Sequence, residues 1–568
     1  MKFADFKYSR PDIQSFKAEF IKELELFSTA SGFEIADAAL GRMNVLRSDL
    51  DTMSRICRIR HTINTSDEYY LSEDKFMNSN KPLFKEMSTK FYKALSESKF
   101  KAELEKKYGT QIFKIAHSVL NTYNNLIDED LVKESDLSTE YRRLTSAGVI
   151  DFDGKKLSLS EMTPYTTSTS REVRKKAQEA KWKFFNDNKE QLDRIYDDLV
   201  KLRHGMAIKL GYKNFIELSY ANMLRTDYNW DDVKLFRENV KKYIVPVVTE
   251  LKKKQQKRLG VDKMFYYDDP VFFNSGNPRP KDNIDTILKN SLTVYDELSP
   301  ETGEFFRFMY NNEMMDLPVK KDKAIGGYCT FIPAYKSPFI FSNFNGTEED
   351  IKVLTHEAGH AFQAYCSKDF DMPEYITPTM EACEIHSMSM EFLTWDRMDL
   401  YFGENAEKFK YAHLTKSIDF IPYGVTVDEF QHFVFENPEA TPKERKLKWL
   451  EIEKKYMPWK IYEDNEFLEE GGFWQHQRHI YEKPFYYIDY CLAEICALQF
   501  WNKYNNSKNG QKKNVLNDYI TLCKAGGSKS FLDLVKLAKL EYPFGKEAME
   551  NSIANAASWL NNIDDTKF

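Results

Sequence analysis

The segment His356-Glu357-Ala358-Gly359-His360 constrains this chain more than any other. Side chains at i and i+4 of an α-helix stand one above the other, about one 5.4 Å turn apart, so a helix here brings both imidazoles within reach of a single metal ion. The glutamate between them is placed to take a proton from an attacking water. With 10 His in 568 residues, roughly 0.01–0.02 such matches are expected by chance. The flanking sequence predicts the helix. Thr347-Glu348-Glu349-Asp350 reads as a capping box at its start. Ile351, Leu354, Ala358, Ala361, Phe362 and Tyr365 fall on one apolar stripe. His356 and His360 fall roughly opposite, so a helix packed by its stripe presents them to a cleft.

The pattern is the HExxH arrangement of zinc peptidases. Zinc suits imidazole and carboxylate donors and needs no thiolate, although cobalt or manganese could replace it. A catalytic zinc takes three protein ligands and keeps one position open. Residues 379–395 read as a helix and offer Glu381, Glu384, His386 and Glu391. Glu384, Ser387, Met388, Glu391 and Trp395 share one face. His386 lies about 200° from Glu384, so those two cannot both point at one ion. Glu381 lies on the Glu384 side, and spacing alone does not rank the two.

The HExGH segment, followed by Glu384-Ile385-His386-Ser387-Met388-Ser389-Met390-Glu391, resembles the oligoendopeptidase F branch of the thimet-oligopeptidase superfamily. That family follows HExGH with an E-x-x-S-x-x-x-E helix whose first glutamate binds zinc. The resemblance implies one Zn²⁺ per chain, held by His356, His360 and Glu384, with Glu391 behind them fixing a ligand imidazole. Many thimet-type members carry the longer HExxHxxH. Gln363 holds its last position here, which suits the oligoendopeptidase branch.

Two further blocks carry the resemblance. The run from His479 through Pro484, Phe485 and Tyr486 to Tyr490 looks like the family's H-x4-P-[FY]-Y-x3-Y signature. It implies that His479 and Tyr490, and next Tyr486, face the scissile carbonyl, where an N–H or O–H donor stabilises a developing oxyanion. Residues 327–331 and 338–344 are β-prone runs bounded by Gly and Pro. The resemblance implies strands beside the site whose edge holds an extended peptide, with Gly327 and Tyr328 as substrate-binding positions. The implied fold is mainly α, two helical lobes around a deep substrate channel, with a small β-sheet beside the zinc site.

The rest of the chain agrees with a helical protein. Residues 16–27, 33–61, 112–127, 171–210 and 230–259 show helical apolar spacing. Asp153-Gly154 reads as a hairpin turn, near a join between an N-terminal helical region, 1–165, and a catalytic region, 166–568. Residues 505–514 read as a polar loop. A net charge of −7 and a pI near 6.0 argue against a nucleic-acid or anionic-membrane surface. The basic clusters Lys252-Lys253-Lys254 and Lys508, Lys512 and Lys513 read as solvated faces. Seven scattered cysteines without C-x-x-C spacing fit a reducing compartment. With no apolar signal core at the start and no membrane-length apolar run, the expectation is a cytoplasmic protein without a membrane partner. The oligomeric state is not encoded in any pattern recognised here.

These readings converge on a zinc endopeptidase that hydrolyses short unfolded oligopeptides with Glu357 as general base. Two rivals stand beside it. One is an exopeptidase, a carboxypeptidase or dipeptidyl carboxypeptidase, on the same helices. The other is a non-catalytic helical peptide-binding protein stabilised by zinc, against which Glu357 speaks, since a structural site needs no base.

Overall fold

The computed structural model describes residues 1–508 and 510–568. The fold is mainly α, and among the described residues only five short strands interrupt the helices. The helices that build the site are α1 (Phe33–Ile63), α2 (Phe215–Asn222), α3 (Glu348–Ser367), α4 (Met380–Leu393), α5 (Ala406–Glu436), α6 (Arg478–Glu482) and α7 (Tyr487–Asn505).

Several expected helices differ in ways the backbone explains. The 171–210 span breaks into Arg171–Asp187 and Lys189–Lys209, because Asn188 turns its own amide onto Phe184 O at 2.7 Å. The 112–127 span ends at Asn121, and Asn124 then caps a separate 3₁₀ turn. Within 230–259 the turn Val240–Ile244 widens to a π-helix just before Pro246, whose ring has no N–H to give and crowds the carbonyl four residues back.

Strands β1 (Ile150–Phe152) and β2 (Lys155–Leu157) form the expected hairpin. Both turn residues are left-handed, Asp153 at φ 52° and Gly154 at φ 71°, as a type I′ turn requires. The second sheet has β3 (Met315–Pro318), β4 (Tyr328–Ile332) and β5 (Ser337–Phe344) in the order β3-β5-β4. β4 pairs antiparallel with β5, and β3 pairs parallel with it. Sequence reading missed β3, whose four residues are too few for a periodic signal. β4 is therefore an edge strand.

One continuous core joins residues from Phe3 to Leu560, while a second cluster lies among the N-terminal helices and takes in Met372 and Tyr375. Helix α3 packs by its expected stripe, with Ile351, Leu354, Ala358, Ala361 and Phe362 fully buried. It lies so close to α4 that a Cβ on Gly359 would stand 2.6 Å from His386 O and Ser387 Cα. The glycine of the motif thus sets the distance between α3 and α4. α4 is buried on nearly every face, and its polar residues are buried with it.

Three expectations need correction. The capping box does not form, because the Thr347 hydroxyl donates to Asn345 Oδ1 (2.7 Å) instead. Asp350 accepts the Asn345 and Gly346 N–H groups at 2.9 and 2.7 Å in its place. Lys252 is not a solvated side chain: it is buried against Asp419 at 2.7 Å and Asp269 at 3.4 Å. Of the expected loop 505–514, Asn509 lies outside the described residues, and helices already occupy Asn505 and the stretch from Lys512 onward.

Candidate metal centre and active site

His356 and His360 project from one face of α3, and Glu384 meets them from α4. The ligand atoms of these three residues all lie within 4.8 Å of one another. Glu384 Oε2 is 3.2 Å from His356 Nε2 and 3.5 Å from His360 Nε2. Donors held about 2.0–2.2 Å from a tetrahedral zinc stand about 3.3–3.5 Å apart, so both the donor set and its spacing fit zinc.

A chain of hydrogen bonds fixes the orientation of this cluster. Trp395 Nε1 donates to His413 Nδ1 at 2.9 Å, which leaves the His413 proton on Nε2, 2.6 Å from Glu391 Oε2. The other Glu391 oxygen accepts from His356 Nδ1 at 2.7 Å. His356 thereby keeps its Nε2 lone pair for the metal side. Burial pushes the Glu391 carboxyl up, but the charge of Lys352 and the bonds from His356 and His413 hold it well below the ordinary carboxylate range. Glu384 is oriented in turn by Tyr486, whose hydroxyl donates to Oε1 at 2.8 Å, and by Ser387, which donates to Oε2 at 3.0 Å.

Glu357 lies between the histidines. It is buried, and its Oε2 has no hydrogen-bond partner. Burial raises its pKa, while the His360 and His356 charges pull the other way. Such a carboxylate is a stronger base than an exposed one. Its Oε1 faces the start of the edge strand, 3.8 Å from where a Cβ on Gly327 would stand. A cleft of about 950 Å³ opens here, lined by Gly327, Tyr328, the metal cluster, His479, Tyr486 and Tyr490. Tyr328 is fixed by stacking on Phe341 at 4.9 Å and by a 2.6 Å bond between its hydroxyl and Thr62 of α1.

His479 is on α6, Tyr490 on α7, and Tyr486 in the turn between them. That turn is strained: Phe485 sits at φ 64°, a left-handed conformation costly for an aromatic residue. Three side chains hold it. Arg225, just beyond α2, donates to Phe485 O at 2.6 Å and to Asp489 at 2.6 Å. Gln431 of α5 accepts the Phe485 N–H at 3.1 Å, and Ser219 of α2 donates to Pro484 O at 3.3 Å. His479 is held by Gln477, whose Nε2 donates to His479 Nδ1 at 2.8 Å while Tyr423 donates to Gln477 Oε1 at 2.8 Å. With the amide oriented so, the His479 proton is on Nε2. Burial, with Arg478 and Lys483 nearby, pushes the His479 pKa down to about 4, so the ring is a neutral donor at neutral pH. Burial and the Glu384 charge raise both Tyr486 and Tyr490, which keeps their O–H groups intact.

The structure thus brings together His356, Glu357, His360, Glu384, Glu391, His479, Tyr486, Tyr490, Gly327 and Tyr328. Glu381, which spacing left open as a ligand, is fully buried away from the metal cluster. Burial and the Asp489 charge push its carboxyl above the ordinary carboxylate range. His386 is also fully buried outside the cluster, its backbone carbonyl accepting from Tyr519. Gln363 is structural, donating to Ser367 Oγ and Ile376 O at 2.9 Å each. Sequence reading missed His413, Gln477, Arg225 and Gln431. All four are buried and none belongs to a recognisable motif.

A family model described as Peptidase family M3 matches residues 165–554, and one described as Peptidase M3 N-terminal domain matches residues 3–123. Oligopeptidase PepF of Bacillus subtilis (strain 168) is 23% identical over 416 residues, 70% of this chain and 58% of that protein's length. The match therefore spans less than two thirds of that relative. A solved structure of PZ peptidase A with inhibitor 2 is 51% identical with a TM-score of 0.95, covering 100% of both chains. A solved chain provisionally described as oligoendopeptidase F is 49% identical with a TM-score of 0.95, again covering 100% of both.

Proposed function

This chain belongs to peptidase family M3, and from that premise we propose that it is a zinc-dependent endopeptidase acting on short, unfolded oligopeptides. One observation carries the reading: three ligand atoms within 4.8 Å of one another converge beside a buried Glu357 carboxylate, its Oε2 unpartnered, that faces an edge strand. His356, His360 and Glu384 would hold one Zn²⁺. Zinc in such a site supplies Lewis acidity, polarising a carbonyl and acidifying water. Glu357 removes the proton from the attacking water and delivers it to the leaving amine. His479 Nε2–H and the Tyr490 hydroxyl donate to the carbonyl oxygen as its charge develops. Tyr486 is occupied by Glu384 in this structure, so its first role is to orient that ligand.

An extended peptide pairs with the free edge of β4 at Gly327 and Tyr328, and backbone bonds of about 1 kcal/mol each give a grip with little side-chain preference. A folded protein must first unfold, at a cost of roughly 5–15 kcal/mol, so it resists. Residues 1–165 supply one wall of the channel and 166–568 the chemistry. We place the enzyme in the cytoplasm on its scattered free thiols; among the described residues, no helix is long and apolar enough to cross a membrane.

The test is incubation of the purified protein with a mixed peptide pool, with and without chelator. Internal cleavage of end-blocked peptides, lost with chelator and restored by Zn²⁺, is the expected result. Turnover persisting in protein shown by elemental analysis to be metal-free would overturn the reading.

A further inference from the structure

Outside the metal centre, the cleft carries an unbalanced charge. Its other carboxylates are all paired: Asp51 with Arg55, Glu374 with Arg47, and Glu482 with Arg478 and Arg142. The side chains of three of its cations, Arg58, Lys483 and Lys529, make no ion pair or hydrogen bond among the described residues. This positive surplus stands out in a chain whose net charge is −7. Unpaired cations in a concave site raise the local concentration of anionic ligands.

Two of these cations come from different walls and flank the substrate path. Arg58 is on α1, with its guanidinium carbon 5.5 Å from the centre of the Tyr328 ring at the start of the edge strand. Lys483 follows α6, with its ammonium 5.2 Å from the centre of the Tyr486 ring. Both line the same cleft, each beside an aromatic ring of the site, and the burial that lowers the Lys483 pKa is reinforced by the Arg58 and Arg478 charges and opposed by Glu482 and Glu384. Like charges facing one cleft are relieved by an anion between them. Arg478 already has Glu482 at 2.9 Å, and of the three unpaired cations Arg58 and Lys483 are the two that lie over rings of the site. Arg58 offers a planar fork suited to a carboxylate and Lys483 a point charge.

We propose that Arg58 and Lys483 form a carboxylate-binding subsite that anchors the bound peptide by its C-terminal carboxylate or by an acidic side chain. The inference rests on the peptidase reading and deepens it. It gives the N-terminal helices a part in substrate choice, through α1, and predicts a bias toward acidic peptides in a cleft whose backbone grip is otherwise tolerant.

The experiment uses the zinc-loaded full chain and one neutral ten-residue peptide. In one arm a single Glu replaces Gln at successive positions; in the other the C-terminus is a free acid or an amide. Cleavage is measured as KM and kcat, and binding as Kd on the Glu357→Gln protein. In wild type, removing the recognised carboxylate should raise KM and Kd about tenfold or more at low salt, with less effect at high salt. The arm that responds identifies the source of the carboxylate. In Arg58→Gln/Lys483→Gln this ratio should fall toward one, and Arg58→Lys, which keeps charge without the fork, should fall between. No discrimination in wild type, or discrimination undiminished in the double variant, would overturn the subsite. Peptide binding with full discrimination but no cleavage would support the subsite and refute only the peptidase reading.

Discussion

On the metal side of the cleft, His356 and His360 are set by one turn of α3, and Glu384 by a neighbouring helix packed against Gly359. On the donor side, His479, Tyr486 and Tyr490 are set by a strained turn that no local rule would produce. The first wall follows helical periodicity and the close approach at Gly359. The second is a tertiary construction, in which Arg225, Ser219 and Gln431 arrive from distant segments to hold Pro484 and Phe485. Local geometry can bring ligands to a metal, but placing donors across from them takes the whole fold.

The sharpest way to break this contrast is to remove the support of the donor wall alone. Arg225 and Asp489 form a fully buried ion pair. Arg225→Met leaves the buried Asp489 carboxyl, whose pKa burial already raises, without its partner, and should destabilise the chain by about 3–5 kcal/mol in denaturant unfolding. Those molecules that remain folded should bind zinc normally yet turn over slowly. Loss of zinc in parallel with turnover would mean that the two walls are not separate.

The donors themselves come next. Tyr490→Phe and His479→Ala should each lower kcat about 10²–10³-fold with little change in KM, because the charge they meet exists only beyond the ground state. Since the His479 pKa lies at about 4, its folded form is neutral above that point. Its removal should therefore leave the acid limb of the pH–rate profile unmoved above about pH 5. A shift of that limb would show that His479 titrates during catalysis.

A smaller effect belongs to the support of the metal wall. Glu391→Gln or His413→Ala interrupts the chain that orients His356, and zinc affinity should fall about 10- to 100-fold in competition with a chelator. Unchanged affinity would mean that α3 alone orients the imidazole.

The same contrast explains what could be read from the sequence. The HExxH spacing and the stripe of α3 are periodic, and the helix appears where they place it. The geometry of α4 removed His386 but could not choose between Glu381 and Glu384, because both lie on one face; resemblance to a family made that choice. The structure brings Glu384 together with the two histidines and leaves Glu381 fully buried outside that cluster. His413 left no signal, for it sits on a long helix buried on nearly all sides, where one imidazole looks like any core residue. β3 and the charge surplus at Arg58 and Lys483 were equally hidden, since both arise only when distant segments meet.

Glu357 of the HExxH helix serves the proton in the proposed reaction, while its two neighbouring histidines and Glu384 serve the metal. Zinc content and peptide turnover, measured together on Glu357→Gln and Glu384→Gln, separate the two roles. Glu357→Gln should keep one zinc per chain while turnover falls about 10²–10⁴-fold, and Glu384→Gln should lose zinc. Near-normal turnover in zinc-loaded Glu357→Gln, or full zinc retention in Glu384→Gln, would contradict this division of roles.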